Sequence, residues 1–120
     1  MSNSLQTPQR LFGEKECGEP LAGGEIGFGA EEYAEVWRAL KEAVGEDNYF
    51  SGRVMTKHRG FTSSLVVSLI IYRDRSDPER RIVDVAPVWW EMATYDGERE
   101  VANDFSFGEL RECVCRQSNV

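Results

Sequence analysis

Three features of the chain predict an α+β fold: a helix-period segment over residues 30–44, strand-like runs divided by turn signals over 49–105, and a helix-start signal at Ser106. The expected order is an N-terminal helix, a four-stranded antiparallel meander and a C-terminal helix, with both helices packed on one sheet face. A chain of 120 residues that is 41% hydrophobic and 29% charged has material for one core rather than two. The domain is expected over 29–120. Residues 1–28, with Gly13, Gly18, Gly23, Gly24 and Gly27, lack either period and read as a flexible or loosely docked arm.

The first helix follows from Tyr33, Val36 or Trp37, Leu40 and Val44, spaced by three and four with charged residues between them. Glu31 and Glu32 complement the positive end of its dipole, and Gly45 stands where a left-handed residue ends it. Residues 49–57 and 61–72 then form a hairpin around Lys57-His58-Arg59-Gly60. In its second strand Leu65, Val66, Val67, Leu69, Ile70 and Ile71 are nearly continuous. Such a run predicts a central strand with apolar cover on both faces.

The third strand, 81–95, contains Pro87, and strict alternation would switch its apolar side midway. A bulge near Ala86-Pro87 restores one apolar face of Val83, Val85, Val88, Trp90 and Met92, leaving Asp84, Trp89 and Glu91 outside. Asp96-Gly97 marks the next hairpin, and pairing outward sets Met92 opposite Val101, Trp90 opposite Asn103 and Val88 opposite Phe105. Ser106-Phe107-Gly108-Glu109 matches a capping box, predicting a helix over 107–116.

Charge is unevenly placed. The net charge is −7, yet Arg53, Lys57, Arg59, Arg73, Arg75, Arg80 and Arg81 outnumber Asp74, Asp77 and Glu79 over 53–81, leaving the remainder strongly acidic. Such a surface repels a phosphate backbone except locally. No apolar run approaches the ~18 residues of a bilayer span, so no membrane association is expected. Three cysteines, an odd number, and the absence of a leader-like start predict a cytoplasmic protein.

Motifs for chemistry do not assemble. Gly27-Phe28-Gly29-Ala30-Glu31-Glu32 puts Glu32 where a dinucleotide fingerprint needs its third glycine, and no strand precedes it. Cys113 and Cys115 diverge on a helix, far in sequence from His58, the single histidine, so neither a metal nor another cofactor is expected. Cys113 is expected in the core. His58 between Lys57 and Arg59 reads as a solvated turn residue, and Asp84 as a surface carboxylate paired with an arginine of a neighbouring strand.

The function expected is that of a small, acidic, non-enzymatic module that binds a protein partner, in a regulatory or inhibitory role. Trp89 is its anchor, with Glu91 and Asp84 beside it. Adjacent strand residues face opposite ways, so Trp90 and Trp89 divide between core and outer face, unless Phe12 or Phe28 of the arm covers Trp89. The alternative is nucleic-acid binding by the basic loops 57–60 and 73–81, through Lys57, His58, Arg59, Arg73, Arg75, Arg80 and Arg81. In topology alone the helix-strands-helix order resembles the double-stranded RNA-binding fold, but Ser106-Phe107-Gly108-Glu109-Leu110 carries no lysine cluster and there is an extra strand. Monomer and homodimer are both open.

Overall fold

The structure, a computed structural model, describes residues 26–118. The order is α1 (Ala30–Val44), β1 (Tyr49–His58), β2 (Phe61–Arg73), β3 (Ile82–Asp96), β4 (Arg99–Val101) and α2 (Phe107–Ser118). The strands form one antiparallel sheet in chain order, so β2 is internal. Helix α1 packs against β1, α2 packs against β3, and the helices touch each other. This is the α+β arrangement the sequence predicts. Residues 1–25 of the expected arm, with Phe12 and Cys17, lie outside the described residues.

Helix α1 buries Tyr33, Val36, Trp37, Leu40 and Val44 along one stripe and ends at Gly45, whose φ is 63°. The sheet supplies the other half of the core. Val54, Leu65 and Met92 lie side by side in register, and Val67, Leu69, Ile71 and Val85 extend this inner face. At one end an aromatic group closes it: Phe105 lies 5.4 Å from Phe28, 5.5 Å from Tyr33 and 5.4 Å from Trp90, ring centre to ring centre. Trp90 therefore contributes to the core. The final residues of the arm are docked: Ile26 exchanges backbone hydrogen bonds with Ala102 and Asp104, and Phe28 is buried.

Several local expectations are corrected. The bulge falls one residue later than expected: Ser68 pairs with Trp89 and Leu69 with Pro87, which makes Val88 the extra residue. Val88 is 62% exposed instead of lining the core. In the last hairpin Thr94, not Met92, faces Val101, so the central turn residues are Gly97 and Glu98. Gly97 has φ 68° while Glu98 keeps a negative φ, the pattern of a turn needing glycine only at its first central position. The slip is by two residues, which keeps every side chain on its face and leaves Val101 buried. Strand β4 stops at Val101 because the chain beyond it bridges to Ile26, so the expected pairs of Asn103 and Phe105 do not form. The capping box of α2 is half made: Ser106 Oγ accepts the Glu109 N–H at 3.4 Å, while the Ser106 N–H donates to the Tyr33 hydroxyl.

The largest departure concerns β2. Its inward residues Leu65, Val67, Leu69 and Ile71 are buried as expected, but both helices lie on that side. Val66 and Ile70 face the other way, and among the described residues no element covers them.

Candidate functional site

The uncovered face of the sheet is ordered in rows by the strand register. Tyr49, Ile70 and Ala86 form one row; Ser51, Ser68 and Trp89 the next; then Arg53, Val66 and Glu91; then Met55, Ser64 and Ala93; and finally Lys57, Thr62, Tyr95 and Glu100. Tyr72 lies beyond Ile70, opposite Asp84. Alternation fixes this face, because Val54, Leu65 and Met92 occupy the intervening inward positions.

Five of the large apolar residues that the described chain exposes stand on these outward positions: Tyr49, Met55, Ile70, Tyr72 and Trp89. The sixth, Val88, is the bulge residue next to Trp89. Trp89 is 52% exposed and Ile70 41%. Single exposed apolar residues are ordinary on a protein surface, whereas here five of the six stand on one contiguous face. Ser51 and Ser68 hydrogen-bond each other at 2.8 Å in the middle of this surface, so each hydroxyl has one partner within the sheet.

Charge on the face is divided by sign. Arg53 and Lys57 lie on β1, whereas Glu91 lies on β3 and Glu100 on β4, with Val66 between Arg53 and Glu91 and with Thr62 and Tyr95 between Lys57 and Glu100. Burial, helped by the Glu91 carboxylate, raises the Glu100 carboxyl above its ordinary value. Arg53, Lys57, Glu91 and Glu100 form no ion pair among the described residues.

The expected partner-binding residues separate in the structure. Trp89 and Glu91 stand on the open face, and Phe28 does not cover Trp89, since its ring packs on Tyr33, His58 and Phe105. Asp84 is occupied. Its carboxylate accepts two bonds of 2.9 Å from the Arg111 guanidinium of α2 and a contact from the Cys115 thiol, so its arginine comes from a helix and not from a neighbouring strand. The Arg111 bond holds the Asp84 carboxyl below the usual range, and burial beside Asp84 pushes the Cys115 thiol up. Cys113 is buried.

The basic residues fall at opposite ends of β2, a strand of 13 residues. Arg59 donates to the Glu32 carboxylate and the Gly27 carbonyl. Arg73 donates to the carbonyls of Arg80, Gly45 and Asp47, and Arg81 pairs with Asp77. Lys57, Arg75 and Arg80 complete the set without joining the two ends. His58 is not a solvated turn residue: its ring packs edge-on against Phe28 at 5.0 Å, and both ring nitrogens are buried without a partner. Burial lowers its basicity, Arg59 lowers it further, and Glu32 opposes them.

Among the described residues, no group of three or more histidine, cysteine, aspartate or glutamate side chains is arranged to hold a metal ion. No described helix is long and apolar enough to cross a membrane. Sequence reasoning missed Tyr49, Met55, Ile70, Tyr72 and Arg53 as members of the face. The available signal is the outward half of the apolar run in β2, for which the sequence predicts cover. No family model matches the chain, and comparison with curated proteins and with solved structures found no match.

Proposed function

We propose that the chain is a non-enzymatic protein-interaction module whose docking surface is the open face of its sheet. The observation carrying this reading is the confinement of Tyr49, Met55, Ile70, Tyr72 and Trp89 to the one sheet face that neither helix covers. Completing the burial of a half-exposed tryptophan or isoleucine contributes roughly 1–2 kcal/mol, so a few such residues suffice for association once the cost of immobilising the partners is met. Trp89 and Ile70 are the anchors, and Arg53, Lys57, Glu91 and Glu100 form the charged rim. The odd number of cysteines supports a cytoplasmic setting.

The test is affinity capture of the intact protein from its native lysate, with and without nuclease, beside the variants Trp89→Ala and Ile70→Glu. Protein retained by the wild type, resistant to nuclease and lost with both variants is the expected result. Retention unchanged by either variant would overturn the reading. Recovery of nucleic acid that disappears when Lys57, Arg75 and Arg80 are replaced would transfer the function to the basic loops.

A further inference from the structure

We infer that the occupant of the open sheet face is a second copy of this chain, packed face to face about a two-fold axis that runs along β2. The inference rests on the reading of that face as a docking surface and adds the identity of its partner. It follows from the order of side chains across the rows.

A two-fold axis along β2 turns β1 of one copy over β3 of the other, and repeats each contact in reverse. Arg53 and Glu91 flank Val66 in one row, so each Arg53 falls over the second copy's Glu91. Within one chain these two residues are two strands apart, about 10 Å, too far to pair with each other. In the last row Lys57 falls over the second copy's Tyr95, with Glu100 one strand further on. The Arg53 and Glu91 pair thus forms twice, once at each edge, and Glu100 stands beyond Tyr95 on the side of Lys57.

Side-chain volume follows the same operator. Met55 lies over Ala93, Trp89 over Ser51 and Tyr49 over Ala86, so in these three rows a large side chain on one copy meets a small one on the other. Val66 and Ile70 meet their own counterparts along the axis. Two sheets packed with their strands within about 30° of each other preserve these correspondences best near the centre, which is where the Arg53, Val66 and Glu91 row lies.

The charges also select this axis against the alternative. An axis across the strands through that central row would set β1 over β1, with Arg53 against Arg53 and Glu91 against Glu91 of the second copy. Like charges set opposite each other disfavour that pairing. The area is adequate as well. A face of 10 residues on β1, at ~3.3 Å per residue, and three to four strands at ~4.8 Å projects about 500–600 Å². Side-chain relief brings it near the ~800 Å² per partner of a stable interface. Val66 and Ile70 on the axis, with Tyr49, Met55 and Trp89 beside it, carry the affinity, and the crossed ion pairs fix the orientation.

The test uses the full chain in sedimentation equilibrium from micromolar to millimolar concentration. Wild type is expected to pass from the 13.6 kDa species to twice that mass. Arg53→Glu and Glu91→Arg are each expected to weaken self-association by about tenfold or more, since each sets like charges opposite one another. Mixed in equal amounts, the two variants are expected to recover a dimer, because one then presents two acids and the other two bases. Recovery also shows that both variants are folded. A wild type that stays monomeric at millimolar concentration, a dimer unmoved by either reversal, or a mixture that remains monomeric would each overturn self-pairing. A monomer that still loses a different protein partner through Trp89→Ala and Ile70→Glu overturns the self-pairing alone and leaves the docking face standing.

Discussion

The Tyr33 hydroxyl in the second turn of α1 accepts the backbone N–H of Ser106, the residue that opens α2, at 3.0 Å. One bond thereby joins the two helices at the end of the core where Phe28, Tyr33 and Phe105 meet. It also occupies the N–H that the Glu109 side chain would take in a complete capping box. Tyr33→Phe keeps the ring packing but strands this N–H, at an expected cost of about 1–3 kcal/mol in urea unfolding. Burial, with Asp104 and Glu109 adding to it, pushes the Tyr33 hydroxyl from 10.0 up to about 12, against the Ser106 bond. An acid whose value is raised in the fold stabilises fully below pH 10, and that contribution is lost as pH climbs towards 12. The phenylalanine variant should lack this alkaline loss, which a series of unfolding midpoints across pH 9–12 would reveal.

Glu32, in the first turn of the same helix and next to Tyr33, does two jobs. Its carboxylate accepts the Gly29 N–H at 2.9 Å, closing the first turn of α1, and accepts the Arg59 guanidinium from the β1–β2 turn. Burial alone would raise its carboxyl, yet the Gly29 and Arg59 bonds hold it below the ordinary 4.5. The depressed value stabilises the fold above pH 4.5, and that contribution falls away as pH drops through the folded value. Glu32→Gln should therefore be less stable than wild type at pH 7 and show a shallower decline below pH 4.5. Arg59→Ala leaves a nearly buried carboxylate without its cation and should cost about 1–3 kcal/mol, measured by urea midpoint at pH 7.

His58 responds in a separate window. Its ring is held against Phe28 with neither nitrogen bonded, and its basicity is lowered chiefly by burial. The unfolded chain takes up a proton near 6.5 while the folded chain resists until lower pH. Stability therefore declines as pH falls below 6.5 and levels off once the folded group titrates. His58→Phe keeps an aromatic edge on Phe28 and removes two unsatisfied nitrogens, so at pH 7 it should be equal to or more stable than wild type. Between pH 6.5 and 5 its midpoint should stay flat where the wild-type midpoint drops. A parallel decline in both proteins would remove His58 as the cause.

These residues also show where sequence and structure diverge. The spacing of Tyr33, Val36, Leu40 and Val44 was enough to place α1, because a helix stripe depends only on local period. The apolar run over 65–71 placed β2 at the interior of the sheet through the cover it implied on both faces, and the structure keeps the position while, among the described residues, Val66 and Ile70 lack that cover. The Gly97-Glu98 turn escaped because a two-residue slip leaves inside and outside unchanged, so alternation cannot distinguish the two registers. Trp89 and Glu91 were legible as outward residues from alternation past Pro87, but a one-residue shift of the bulge moved Val88 from the core to the surface. Burial of His58 and the attachment of Asp84 to Arg111 depend on contacts across 30 and 27 positions of the chain respectively. Local composition carries no record of them.

Leu69 and Ile70 are neighbours on β2 whose side chains leave the sheet on opposite faces, one fully buried and the other 41% exposed. Leu69→Ala opens a cavity under the helices and should cost about 2–5 kcal/mol in urea unfolding at any protein concentration. Ile70→Thr keeps a β-branched residue on an uncovered position, so in dilute solution its midpoint should stay within about 0.5 kcal/mol of wild type. At high concentration the two must separate if the open face pairs with a second copy. Association that favours the folded state raises the wild-type midpoint with concentration, by mass action. Ile70→Thr removes an apolar contact on the axis and should show a weaker rise. An equal concentration dependence in wild type and Ile70→Thr would place any self-association on a surface other than this face, whereas a rise confined to wild type would tie the exposed half of β2 to its partner.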